Sequence, residues 1–235
     1  MPQRPTLLES FSLPCRVRTT RRKGSIALRV SREEIRILAP QGTSAAAIER
    51  LLHERQRWIE EAVAAQLQRP QTQREYVQGE QLLLNGIAYP LHTAPGARCV
   101  LRFEEGGFVL AGPPDASREQ RQQAIFAWYQ RRALAEWPSR VQRWSDYTGL
   151  TPSSLKIRRY RSRWGACTAR GQVSLNTLLL MAPEAVLDYV IIHELCHLRH
   201  LNHSPAYWAL VSQWCPEWRA LRRWLSDNGP QLQLD

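Results

Sequence analysis

The chain has 235 residues, 43% of them hydrophobic, and a formal net charge of +11. These values are typical of a folded soluble protein with one large or two small domains. No apolar run approaches the roughly 18–20 residues that a membrane helix needs, and the N-terminus lacks a signal-peptide pattern. The five scattered cysteines contain no C-x-x-C pair, which favours reduced thiols. We therefore expect a cytoplasmic protein with no membrane partner.

The first part of the chain is predicted to be β-rich with one helix. Apolar and polar residues alternate on both sides of a polar turn, which predicts a β-hairpin over 25–40. Apolar residues at helical spacing then predict a helix over 43–67, with Thr43 or Ser44 as its N-terminal cap.

A polar stretch rich in proline and glutamine predicts a linker over 69–80. Two segments with strand character follow, over 81–93 and 99–112, and their Asn-Gly and Gly-Gly pairs predict turns at 85–86 and 106–107. Both segments are therefore assigned to an N-terminal β-rich accessory region, 1–115, that precedes a second domain, 116–235.

The second half is predicted to contain a long helix, two strands and three further helices, so the fold class is α+β. Ser117 with Gln120 forms the capping box of the long helix. Pro183 and Pro205 stand where two of the later helices would begin. In chain order the predicted elements cover residues 117–144, 154–164, 171–180, 183–200, 204–214 and 217–228.

Basic residues are concentrated in two segments, and 30 of the 32 are arginine. An arginine fork suits phosphate and carboxylate groups, so each segment predicts either a solvated basic surface or contact with a nucleotide, a nucleic acid or an acidic substrate. The first set is Arg16, Arg18, Arg21, Arg22, Lys23 and Arg29. The second, in the acid-free stretch 151–183, is Lys156, Arg158, Arg159, Arg161, Arg163 and Arg170.

Four of the six histidines lie within residues 190–208. His193 and His197 are four positions apart on a predicted helix, so both imidazoles can reach one zinc ion at roughly 2.0–2.1 Å. Glu194 lies about 100° around the helix, where it can contact water on the metal as a general base. A pair of surface histidines is the alternative, and the apolar residues around the motif argue against it.

A third protein ligand is needed, and His203 is favoured over Glu217. His200 points in the same direction as His193 but lies about 10.5 Å further along the axis, so it is expected to support the site or to act as a helix C-terminal cation. A turn after the helix can bring His203 back to the metal, whereas Glu217 would give a site with a carboxylate ligand. One Zn2+ per chain is the expected cofactor, with other divalent metals left open.

Residues 155–225 resemble the YgjP-like metallopeptidase family, which is related to the SprT-like and minimal gluzincin-type zincins. The likeness rests on Arg163-Trp164-Gly165, Leu175-Asn176, the H-E-x-x-H motif and Asn202-His203. Ala166 stands where the family usually has serine.

The resemblance implies a zincin-like catalytic domain made of a helix, a short mixed sheet, the H-E-x-x-H helix and C-terminal helices. In that family the metal ligands are three histidines, here His193, His197 and His203, with Glu194 as base. We therefore predict a zinc-dependent hydrolase, specifically a metallopeptidase that acts on a peptide or protein.

Four residues are predicted to contact the substrate or the transition state: Arg163, Trp164, Asn176 and Tyr207. Tyr207 could donate to an oxyanion, and residues 171–176 could form the sheet edge on which a peptide lies. Alternatively, Trp164 belongs to the core and Arg163 to a salt bridge.

Two other functions and a structural role stay open. Arginines beside a metal site also suit a metal-dependent nucleotide pyrophosphatase. A protease associated with nucleic acid would show salt-dependent DNA binding through Arg18, Arg21 and Arg22. A purely structural zinc site is disfavoured by Glu194 and by the coordination position left for water.

Overall fold

The computed structural model describes residues 11–20, 24–31, 33–68 and 74–234. It divides the chain into two compact units, Met1–Thr72 and Gln73–Asp235. Both units combine helices with small sheets, so the α+β class predicted from the sequence is confirmed. Among the described residues, no helix is both long enough and apolar enough to cross a membrane.

In its described residues, the first unit is a three-stranded sheet with two helices. Its elements are β1 (Cys15–Thr20), β2 (Ala27–Val30), β3 (Ile35–Pro40), α1 (Ala45–Glu54) and α2 (Gln56–Gln68). Strand β3 lies in the middle, parallel to β1 and antiparallel to β2, which confirms the predicted hairpin. Alternate side chains of β3, Ile35 and Ile37, are buried in one cluster with Leu52 of α1 and Ile59 of α2.

The single helix predicted for this unit is two helices that separate at Arg55. Ser44 caps α1, and its hydroxyl accepts a hydrogen bond from the Ala47 amide at 3.2 Å. Arg55 leaves the helical conformation, with φ −110° and ψ 8°. Leu52 and Ile59 on either side of the break are both buried. The apolar periodicity therefore continues across Arg55, and the sequence pattern does not indicate that the helix is interrupted there. Arg21, Arg22, Lys23 and positions 69–73 of the predicted linker lie outside the described residues.

The second unit contains two sheets and four helices within the described residues. Its first sheet and long helix are β4 (Gln81–Leu84), β5 (Ile87–Pro95), β6 (Val100–Glu104), β7 (Gly107–Gly112) and α3 (Arg118–Thr148). The remaining elements are β8 (Ser154–Arg158), β9 (Gly165–Cys167), β10 (Gln172–Asn176), α4 (Glu184–Cys196), α5 (Pro205–Trp214) and α6 (Trp218–Asn228). Two 3-10 helices, Thr177–Met181 and Gly229–Leu232, complete it.

The boundary between the two compact units differs from the predicted division into 1–115 and 116–235. The sheet β4-β5-β7-β6 shares one hydrophobic core with α3, α4 and the second sheet. Phe108 of β7 and Tyr129 of α3 are both fully buried, with ring centroids 6.2 Å apart. Strands β4–β7 therefore belong to the second unit, although the predicted accessory role of residues 1–115 stays a prediction.

The second sheet has the order β8-β10-β9, with β8 parallel and β9 antiparallel to the central β10. The predicted strand 154–164 ends at Arg158, because the Asn176 side-chain amide donates to the carbonyls of Tyr160 and Arg163, at 3.0 Å each, and holds 159–164 as a loop. The expectation that residues 171–176 form the sheet edge is wrong, since β9 is the edge strand beside them.

Helix α4 is fixed against α3 by polar contacts at Asp188. The Arg140 guanidinium donates to both Asp188 carboxylate oxygens, at 2.6 and 2.8 Å, and the Trp144 indole donates to one of them at 2.7 Å. The capping box of α3, Ser117 with Gln120, is present as predicted. These contacts set the position of the helix that carries the histidine motif.

Candidate metal centre

Three histidines converge where α4 ends. His193 lies in the last turn of α4 and His197 is its C-terminal cap, with ring centroids 4.9 Å apart. His203 follows a turn and precedes α5, and its Nε2 lies 3.3 Å from Nε2 of His193. One nitrogen from each of the three rings lies within 4.8 Å of the others. The convergence expected for His193, His197 and His203 is therefore present in the structure.

The donor set fits zinc in both spacing and protonation. Two nitrogen ligands of a tetrahedral zinc at 2.0–2.1 Å lie about 3.3–3.4 Å apart, which matches the His193–His203 separation. His197 donates from Nδ1 to the His200 carbonyl at 2.9 Å, so its Nε2 is unprotonated in the neutral ring. Burial, then the nearby His197 and His203, lower the pKa of His193 to about 3 and favour the neutral form that binds metal.

The other two ligand candidates have different positions. His200 supports the site through its main-chain carbonyl, which accepts the His197 hydrogen bond. Glu217 is exposed at the start of α6 and is not part of the metal-binding group found among the described residues. The structure thus favours the three-histidine alternative.

His203 is exposed, and aromatic rings support it. The Trp208 ring stacks on His203 with centroids 5.4 Å apart and planes at 23°, and Trp218 stacks on Trp208 at 4.1 Å and 15°. Arg222 of α6 lies over the Trp208 ring at 5.3 Å. Burial, with smaller contributions from His197 and Arg222, lowers the pKa of His203. Sequence reasoning missed Arg222, because α6 is amphipathic and its arginines are typical of a solvated face.

Glu194 is a buried carboxylate beside the histidines, only 4% exposed. Its Oε2 has no hydrogen-bond partner among the described residues. Burial raises the pKa of Glu194 to about 8, and the positive charge of Arg163 opposes this shift. A buried carboxyl group without a hydrogen-bond partner is costly in a purely structural role.

Gly165, the first residue of edge strand β9, lies directly against Glu194. A Cβ atom at this position would be 2.4 Å from Oε1 of Glu194 and 2.8 Å from its Cδ, distances that real Cβ contacts do not reach. Gly165 therefore leaves the space that the carboxylate occupies. The sequence draws attention to Gly165 only as part of Arg163-Trp164-Gly165. No neighbouring residue indicates that the Glu194 side chain occupies the space beside this glycine.

Arg163, Trp164 and Asn176 lie around the loop that leads into β9. Asn176 is 1% exposed and its amide bonds only to main chain, including the Leu178 amide, which donates to Oδ1 at 3.2 Å. Trp164 is partly buried against the core and close to Gly229. Arg163 is exposed, with its guanidinium 5.6 Å from the Tyr160 ring centroid. Of the three, Arg163 has the exposure that a substrate contact needs.

Tyr207 supports the histidines from within the core. It is fully buried, its ring stacks on His197 with centroids 4.5 Å apart, and its hydroxyl donates to the His193 carbonyl at 3.0 Å. Burial raises the pKa of Tyr207, so the phenol stays protonated. The hydroxyl predicted to donate to an oxyanion thus donates instead to the main chain of the H-E-x-x-H helix.

Replacing Tyr207 with phenylalanine tests this role. Loss of one hydrogen bond should lower the free energy of unfolding by about 1 kcal/mol, while kcat should fall by less than about tenfold. A hydroxyl that stabilised an oxyanion would instead cost about 10²–10³ in kcat when removed. Denaturant titration and steady-state kinetics measure the two effects. Tyr189→Phe is the matched control, since the Tyr189 hydroxyl makes no hydrogen bond with the described residues. A hundredfold loss of kcat in Tyr207→Phe would instead indicate that the Tyr207 hydroxyl contacts the substrate during the reaction.

Comparison with known proteins bears on the family of the chain. No curated protein matches the chain. Among solved structures, the crystal structure of the metallopeptidase zymogen of Pyrococcus abyssi abylysin is 23% identical and covers 37% of this chain and 90% of its own, with a TM-score of 0.34. The family model described as YgjP-like, metallopeptidase domain, matches residues 24–228. The match spans the three histidines and most of both compact units, and the chain therefore belongs to the YgjP-like metallopeptidase family.

Proposed function

We propose that the chain is a zinc-dependent metallopeptidase in which His193, His197 and His203 bind the metal and Glu194 is the general base. The observation that carries the proposal is the convergence of three imidazoles within 4.8 Å beside a carboxylate that is buried and unpaired. All five cysteines are free, which supports a proposed location in the reducing cytosol.

The histidines are held ready for the metal by contacts on their far sides. The His200 carbonyl orients His197, Tyr207 anchors the carbonyl of His193, and Trp208 stacks on His203. Zinc, when bound, supplies Lewis acidity to the attacking water and to the carbonyl oxygen of the substrate.

Glu194 moves the proton in the proposed reaction. Its carboxylate accepts a proton from water as the water oxygen attacks the peptide carbonyl carbon. The same carboxyl group then donates the proton to the leaving amine as the C–N bond breaks, which regenerates the carboxylate. Gly165 lets the carboxyl group lie against β9, so the proton donor stays beside the edge strand.

The edge strand β9 is the proposed binding site for the peptide backbone. Within the described sheet only one side of β9 is paired, with β10, so its other side can accept an extended peptide. A peptide paired there passes Gly165 and hence the Glu194 carboxylate. Arg163, exposed just before β9, is the proposed contact for a substrate carbonyl or carboxylate.

Metal analysis of three proteins tests the ligand set. The wild type should contain about one zinc ion per chain, as measured by atomic emission after dialysis. His203→Ala should lose that zinc, because two imidazoles alone bind it much more weakly, and Glu217→Ala should keep it. Zinc that persists without His203 and disappears without Glu217 would assign a carboxylate ligand and overturn the proposal.

A nucleotide phosphoanhydride is the second candidate substrate, and Arg163 favours it. Arg163 has no ion pair among the described residues, yet its charge acts on Glu194. An unpaired arginine beside a metal centre suits a polyphosphate as well as a peptide. Parallel panels of peptides and nucleoside triphosphates separate the two: peptide cleavage alone supports the peptidase, and phosphate release alone supports the alternative.

A further inference from the structure

The first unit carries a row of arginines across its sheet. In the strand register Arg16 of β1 lies beside Arg36 of β3, and Arg36 lies beside Arg29 of β2. Arg18 follows Arg16 by two residues and so points to the same side of the sheet. All four arginines are exposed. Neighbouring strands lie about 4.7–4.9 Å apart, so the row is a compact band of positive charge.

The row is on the open face of the sheet. The opposite face buries Ile35, Ile37 and Ala39 of β3 in the cluster that includes residues of α1 and α2. Side chains alternate between the two faces, so Arg36, between Ile35 and Ile37, is turned away from the helices. The helices therefore cover the apolar side and leave the arginines exposed.

The positive charge of this face is only partly neutralised. Glu34 pairs with Arg16 at 3.2 Å and with Arg36, whereas Arg18 and Arg29 have no ion pair with the described residues. Residues 45–68, which form the helices, contain four glutamates and three arginines, so the charge of that side is nearly balanced. The excess positive charge of the unit is thus concentrated on one face.

We propose that this open face, defined by Arg16, Arg18, Arg29 and Arg36, binds the phosphate backbone of double-stranded DNA. Arginine forks match phosphate oxygens, and clustered cations on one face are the electrostatic signature of nucleic-acid binding. The side chains between the arginines, Leu38 and Ala27, are small or aliphatic.

The side chains of the face favour a duplex over a single strand. Proteins that bind single-stranded DNA or RNA stack its bases on aromatic side chains, and the described strands of this sheet contain no aromatic residue.

Salt-dependent binding of the full-length protein to a short labelled DNA duplex tests the proposal. Each phosphate contact contributes about −0.9 to the slope of log affinity against log salt, so four contacts give a loss of roughly 150-fold between 50 and 200 mM salt. Arg18→Gln combined with Arg29→Gln should reduce that loss to roughly 12-fold, as only two contacts remain. The matched control, Arg50→Gln with Arg55→Gln on the helical side, removes the same charge and should keep the full salt dependence.

Several results would overturn the proposal. Equal salt slopes for the two double variants would assign the binding to net charge rather than to this face. Tighter binding to single-stranded DNA, or binding only to vesicles that contain anionic lipid, would assign a different partner. If circular dichroism shows that Arg18→Gln combined with Arg29→Gln is unfolded, Arg16→Gln alone serves as the test of this face. The face and the histidines belong to different compact units, so Glu194→Gln should bind DNA as the wild type does. That result keeps this proposal distinct from the peptidase.

Discussion

Replacing Glu194 with glutamine is expected to reduce peptide hydrolysis by about 10²–10⁴-fold, the contribution of a general acid and base. Glutamine has nearly the same shape as glutamate, so it fits against Gly165 but cannot accept the proton of the attacking water. The zinc content should stay at the wild-type value, because the metal-binding group does not include Glu194. Steady-state kinetics on a peptide that the wild type cleaves, together with metal analysis of the same sample, measure both quantities.

Glu105→Gln is the matched control, since it makes the same chemical change at an exposed glutamate in the turn between β6 and β7. Its kcat should remain within about twofold of the wild type, because surface substitutions of this kind change stability by at most about 0.5 kcal/mol. Wild-type turnover in Glu194→Gln would remove the general base from the proposed mechanism.

Replacing Gly165 with alanine should reduce activity by about 10²-fold with zinc still bound. The added Cβ would approach Oε1 of Glu194 to 2.4 Å, so the carboxyl group or the edge strand must move. A displacement of about 1 Å at a reacting group costs about this much in rate. Gly165 does not have a positive φ, so the expected loss comes from the collision with Glu194 and not from backbone strain. Kinetics and metal analysis again measure the effect.

A double-mutant cycle tests whether Glu194 carries the effect. Glu194→Asp shortens the side chain by one methylene and withdraws it from β9, so Gly165→Ala should cost several-fold less activity in that background than in the wild type. Gly112→Ala is the control for tight packing elsewhere, because its Cβ would lie 3.0 Å from the Cys99 sulfur, and it should leave kcat unchanged. Additive effects of Gly165→Ala and Glu194→Asp would contradict the proposed contact.

The histidine arrangement could be predicted because most of it is local. Positions four apart on a helix share a face by geometry alone, so His193 and His197 follow from spacing once α4 is recognised. His203 needs only a turn between α4 and α5, and Ser204-Pro205 indicates where that turn ends. The short range of these relations explains why the convergence expected from the sequence agrees with the structure.

Contacts that join distant segments could not be read from the sequence. Gly165 and Glu194 belong to different elements, and nothing in either segment indicates that they meet. The same holds for the sheet order, in which β10 pairs with β8 as well as with the adjacent β9. The extent of the second unit depends on β4–β7 sharing a core with α3, and hydrophobic periodicity does not specify which faces pack together.

The connection between β8 and β10 contains the edge strand β9 and the exposed Arg163, whereas the three histidines belong to α4 and the turn that follows it. Surface connections tolerate insertion and substitution far better than packed helices do. The side chains of 159–162 can therefore change in charge without disturbing the helix that presents the histidines, because Asn176 holds this loop through main-chain carbonyls. The fold thus places the proposed substrate contact and the proposed metal ligands on separate segments, so the charge of the loop can change while the three histidines are retained.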